Sequence, residues 1–173
     1  MTLSGGEKLI LAMLVGIYNK LEIKDDIDPK VVLAGIRDNS SWILQFQYGY
    51  STEELPPKVK ETCDILDMYR WIGASFKGLS KSEKGRVKKE SDHWGKYVEF
   101  QGFDGNHDEH YGILSDLVDV LEKYDERKGG ILNSHSQTSL PKYRKMLSAF
   151  QTIPTPFSQE GLTADQLIKV LKA

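Results

Sequence analysis

Residues 100 to 111 read FQGFDGNHDEHY. Positions 104 to 110 alone hold Asp104, Asn106, His107, Asp108, Glu109 and His110. Side chains of these types bind metal ions or move protons. Asp104-x-Asn106-x-Asp108 opens like a calcium loop, and the pattern then fails. Glu109 stands where the sharp turn needs glycine, and Ser115 stands where the bidentate glutamate belongs. His107 and His110 are three apart, so on a helix they lie on neighbouring turns. They are the candidate zinc ligands, but such a pair needs a distant third ligand, a place His135 could take across the fold, though nothing in the sequence demands it. A hydrolytic site would use Asp104, His110, Asn133 and His135, provided that GFDGN (102–106) and NSHS (133–136) converge around a cavity. Helix capping competes with all three readings and outweighs them. Asp104 or Asn106 would cap a helix, with Asp108 and Glu109 in its electropositive first turn. His110 shares a helical face with Leu114, Leu117 and Leu121, as a core-edge histidine with one hydrogen bond does. No metal and no cofactor is therefore expected.

Other candidate chemistry is sparse. Cys63 is the only cysteine, which excludes an intramolecular disulfide and a multi-cysteine zinc site. It falls on an apolar helical face, where thiols are inert. Residues 77 to 96 carry seven basic and three acidic residues, a local net charge of +4, with Trp94 and Tyr97 nearby. A nucleic-acid contact could use that segment, but the interleaved acids favour a solvated face, and His93 sits within it. The phosphate-loop, dinucleotide, nucleophile-elbow and H-E-x-x-H patterns are all absent.

The elements that would position these residues are helices. Ser4 to Glu7 forms a capping box. Leu9, Ile10, Met13, Leu14, Ile17, Tyr18 and Leu21 then recur at helical spacing, and Leu11 and Val15 widen the stripe. Such a helix is buried on more than one side or meets a second subunit. Asp28-Pro29 starts a second helix, ended by Asp38-Asn39. Residues 41 to 50 fit either strand or helix. Pro56-Pro57 opens a long helix stopped by Gly78, and a polar helix follows. Tyr97 to Phe103 reads as extended. A helix over Asp104 to about Tyr124, one from Pro141 broken by PTPF (154–157), and a last one capped by Thr163-x-x-Gln166 complete the chain. The expected fold is an all-α, compact array of six or seven helices, with at most a minor short strand.

With 173 residues, 39% apolar and 28% charged, the chain supports one globular domain over 1–173. The net charge of −2 argues against a nucleic-acid binder. The run Leu9 to Tyr18 is too short to span a bilayer, and no secretory signal is evident. A cytoplasmic location is expected, without membrane association.

TCDILDMYRWI (62–72), FQGFDGN (100–106) and NSHSQTSLPKYRKMLSAF (133–150), with EKLILAML in the first helix, resemble the YfbU family of bacterial proteins. The resemblance covers most of the chain in order. It implies an all-helical cytoplasmic protein of undefined biochemical function. Gly102, Phe103, Asp104, Asn133, Tyr143, Met146 and Leu147 match the shared pattern, whereas His107 and His110 stand outside it. It supplies no catalytic residue. Some relatives add an N-terminal ribbon-helix-helix-like segment; this chain starts at the first helix, so DNA contact by that route is not expected.

The function expected is that of a non-enzymatic, self-associating protein-interaction module. Its motivation is the broad first helix and exposed-looking aromatics at Trp42, Phe46, Tyr48 and Tyr50. The alternatives are an accessory regulator contacting nucleic acid through 77–96, and a metal-dependent hydrolase between the two polar motifs.

Overall fold

The computed structural model describes residues 3–37, 40–49, 52–135, 138–154 and 161–173, with residues 92–94 described in backbone only. Among the described residues there are eight α-helices, one more than the upper expectation. They are α1 (Gly5–Lys20), α2 (Pro29–Gly35), α3 (Trp42–Tyr48), α4 (Pro57–Gly78), α5 (Lys81–Glu90), α6 (Glu109–Ser115), α7 (Leu140–Gln151) and α8 (Ala164–Lys172). The described residues include no strand, only an isolated parallel bridge between Phe103 and Asn133.

Local chemistry sets most boundaries. The Ser4 hydroxyl accepts from the Glu7 amide at 3.3 Å, and the Glu7 carboxylate accepts from the Ser4 amide at 2.8 Å. The same reciprocal pair starts α5 at Ser80 and Glu83, and α8 at Thr163 and Gln166. Asp28 caps α2 through the Lys30 amide, with Pro29 in the first turn. The undecided segment 41–50 contains α3, closed by Gly49 in the left-handed region. Trp42, Ile43 and Leu44 are buried in succession, which hides either period. Asp38, Asn39, Tyr50, Ser136, Gln137 and residues 155–157 of PTPF lie outside the described residues, as do the side chains of His93 and Trp94.

Three expectations change. The helix over 104–124 begins instead at Glu109, because residues 104 to 108 are used in a turn. It passes at Asp116 into a π-helical turn, Asp116–Val120. Residues 92 to 98 are 3₁₀-helical, and the stretch that follows turns at Gly102, with φ +83°, instead of running extended to Phe103. Trp42 is buried and Phe46 and Tyr48 are half-buried against the core, so these aromatics are not an exposed surface.

The long α4 is the spine. It packs against α6, α7 and α8, burying Val59, Ile65, Leu66, Met68, Tyr69 and Ile72. α5 lies on α8, and α2 links α1, α3 and the π-helical turn. α1 packs chiefly on α2 and buries only Val15 fully. Within one chain it is therefore not covered on more than one side.

Candidate functional site

The two polar motifs do meet. The Phe103 amide donates to the Leu132 carbonyl at 3.0 Å, and the Ser134 amide donates to the Phe103 carbonyl at 2.8 Å. The Asn133 Oδ1 accepts from the amides of Gly105 at 3.1 Å and His135 at 2.8 Å, tying both loops to one side chain. The approach is tight. A Cβ at Gly102 would lie 2.6 Å from the Leu132 carbonyl oxygen, and one at Gly105 would lie 2.5 Å from the Asn133 amide nitrogen. Gly102 has φ +83°, in the left-handed region that glycine tolerates.

Beneath this junction lies an aromatic cluster. Phe103 is fully buried, with ring centroids 5.2 Å from Phe100 and 5.7 Å from Tyr143. Tyr69 joins at 5.3 Å from both Phe100 and Tyr143, in edge-on geometry. The Tyr143 hydroxyl donates to the Gly102 carbonyl and accepts from the Gln101 amide, each at 3.0 Å. Burial pushes its pKa up to about 12, so it stays a donor. Ser139 also donates to the Gly102 carbonyl, at 2.8 Å. The Arg127 guanidinium covers the cluster, 5.2 Å from the Phe100 centroid.

The side chains of Asp104, His107, His110 and Asn133 have partners here. Asp104 is buried and builds a turn: its Oδ1 accepts from the Asn106 amide at 2.9 Å, and His107 Nδ1 donates to its Oδ2 at 2.7 Å. The Asp104 amide donates to Asp108 Oδ2 at 3.2 Å. Asp104 thus caps a turn ahead of α6, not the helix itself. Asp108 takes the N-cap position, its carboxylate turned back towards Asp104. His110 is buried against Phe103, with centroids 5.4 Å apart, and its Nε2 donates to Glu61 Oε2 at 2.7 Å. His107, by contrast, is largely exposed. The candidate zinc pair therefore serves two separate carboxylates. His135 is exposed, with φ +51°. Among the described residues, no group of three or more His, Cys, Asp or Glu side chains is placed to hold a metal ion.

Sequence reasoning missed Glu61 and Arg144. Arg144 donates to Glu61 from Nε at 2.7 Å and from Nη2 at 2.9 Å, while His110 uses the same carboxylate. This pins α4, α6 and α7 together. No local pattern marks the pair, because 83 residues separate its members. The Arg144 guanidinium, reinforced by His110, holds the Glu61 carboxyl down to about 2. Its folded pKa lies below the ordinary value of 4.5, so its stabilisation is full above pH 4.5 and is lost as pH falls towards 2. Glu61→Gln should cost about 2 kcal/mol at neutral pH. In urea titrations, the gap from the parent protein should shrink below pH 4.

Cys63 is half-buried on α4, and burial raises its thiol to about 11. A neutral thiol is a poor nucleophile, so an aromatic disulfide at pH 8 should react more than about tenfold slower with native than with unfolded chain.

Two clefts stand apart from this junction. The larger, about 1450 Å³, runs between α3, residues 53–59 and α6, with Arg37 paired to Asp116 and Lys58 to Glu109 across its walls. The smaller, about 490 Å³, lies by Phe76, Lys77, Lys88 and Lys96. Neither is lined by Asp104, His110, Asn133 or His135. In the basic segment, Lys84 donates to the Lys77 carbonyl, and Arg86 is held by Glu90 and Asp165. Among the described residues, no helix is long and apolar enough to cross a membrane.

The exposed face of α1 is of another kind. Leu9, Ile10, Met13, Leu14, Ile17 and Leu21 are between 52% and 65% exposed. At 100° per residue they cover one continuous stripe of about 140°, opposite Leu11 and Val15, which pack on the core.

An all-helical array with a tightly sewn GFD–Asn junction and an apolar outer helix defines the class of this protein. The YfbU domain matches it over residues 1–173, and the chain belongs to that family. No curated protein and no solved structure matches it.

Proposed function

We propose that this chain is an intracellular, non-enzymatic module of one helical domain that self-associates through the outer face of α1. The observation that carries the reading is the apolar stripe itself. Its six residues present roughly 600 Å², at the top of the 300–600 Å² of the largest patch on a typical monomer. A standard interface covers about 800 Å² on each partner, so two such stripes come close to a stable dimer. A helix apolar on nearly all sides is normally buried, and a second copy supplies the missing cover.

The non-enzymatic part rests on the junction. GFDGN packs directly on Asn133 and Ser134, and the side chains of Asp104, His110 and Asn133 are spent on turns and helix ties. Neither of the two clefts described above is lined by Asp104, His110 or Asn133.

The test is light scattering on chromatographed protein. The parent chain should run at twice the chain mass. Ile10→Glu with Ile17→Glu alters only exposed positions, so the fold should survive and the species become a monomer. A parent protein that is monomeric at high concentration would remove the proposal.

A further inference from the structure

The stripe also carries information about how two copies meet. We infer that two chains pair through α1 in antiparallel register, about a twofold axis near Met13 and Leu14. This rests on the self-association reading and adds its geometry.

The first argument is the symmetry of the stripe. Reversing α1 about the point between Met13 and Leu14 exchanges Ile10 with Ile17 and Met13 with Leu14, so apolar side chains meet apolar side chains. The same operation sets Leu21 over Gly6, where a Cβ would touch nothing within 4 Å. A protruding side chain therefore faces open space at each end.

The second argument is charge. Glu7 lies in the first turn of α1 and Lys20 in the last. Parallel pairing would place like helix ends side by side, with Lys20 beside its own copy. Antiparallel pairing sets each positive helix end near a negative one. The third argument is closure. Using the same face on both copies, the contact buries both stripes and leaves none to recruit another chain.

Disulfide trapping tests this in a Cys63→Ser background. Met13→Cys should cross-link to itself rapidly. Leu21→Cys should not, because its two copies would lie about 20 Å apart along the axis. A mixture of Ile10→Cys and Ile17→Cys should form a mixed disulfide. Leu21→Cys cross-linking as fast as Met13→Cys would establish parallel pairing and overturn the inference. Failure of every α1 cysteine, in variants that light scattering shows to be dimeric, would move the interface to another face while leaving self-association standing. Monomeric parent protein would instead refute the reading beneath it.

Discussion

Phe103→Ala is expected to lose about 4 kcal/mol of folding stability, as truncation of a fully buried phenylalanine does when its surroundings cannot collapse. Collapse is prevented from several directions. Phe103 is held at its backbone by the carbonyl of Leu132 and the amide of Ser134. Phe100, Tyr143 and His110 surround its ring, and the last two are fixed by their own hydrogen bonds. Chemical denaturation of the variant should show an earlier midpoint with little change in slope. A loss under 1 kcal/mol would mean that the junction is not part of the cooperative core.

Gly102→Ala should be nearly as damaging, at about 3 kcal/mol or more, for a different reason. The new methyl would sit 2.6 Å from the Leu132 carbonyl oxygen and 2.8 Å from its carbon. These are backbone atoms, locked by the bridge to Phe103, and cannot swing aside. The left-handed φ adds about 1 kcal/mol of strain for any L side chain. Two other glycines serve as references. Gly105→Ala meets the Asn133 side chain, which can rotate at the loss of its hydrogen bonds, and should cost less. Gly112→Ala lies exposed in α6 with open space around a Cβ and should stabilise by up to about 1 kcal/mol. The order of the three follows what each methyl would strike.

Much of the fold is legible in the sequence because helix signals are local. The boxes at Ser4 and Thr163 are readable by residue type and spacing, and both form. The box at Ser80 and Glu83 has the same spacing and was equally readable. Segment 42–48 is not, because three consecutive buried residues satisfy neither periodicity. Asp104 misleads for a chemical reason. A carboxylate capping a turn and one capping a helix both accept from the amide two or three residues on. The π-helical turn is invisible because Leu114, Leu117, Val118 and Leu121 keep ordinary α-helical spacing across it.

The candidate site divides in the same way. His110 reads as a core-edge residue with one hydrogen bond from its own helix face, and the structure buries it with its ring bonded to Glu61. Glu61 and Arg144, which give it a partner and join three helices, come together only through tertiary packing. Convergence of GFDGN with NSHS could be asked from the sequence but not answered. Contact between loops 30 residues apart depends on the whole array. α1 is the reverse case. Its double apolar face is plain in the sequence, and only the packed fold shows which half lacks cover within the chain.

Self-association through that face is the central claim, and sedimentation equilibrium of the unmodified chain over a wide concentration range tests it most directly. The weight-average mass should climb from that of one chain to a plateau at two. A mass that stays at one chain across the whole range would contradict the account.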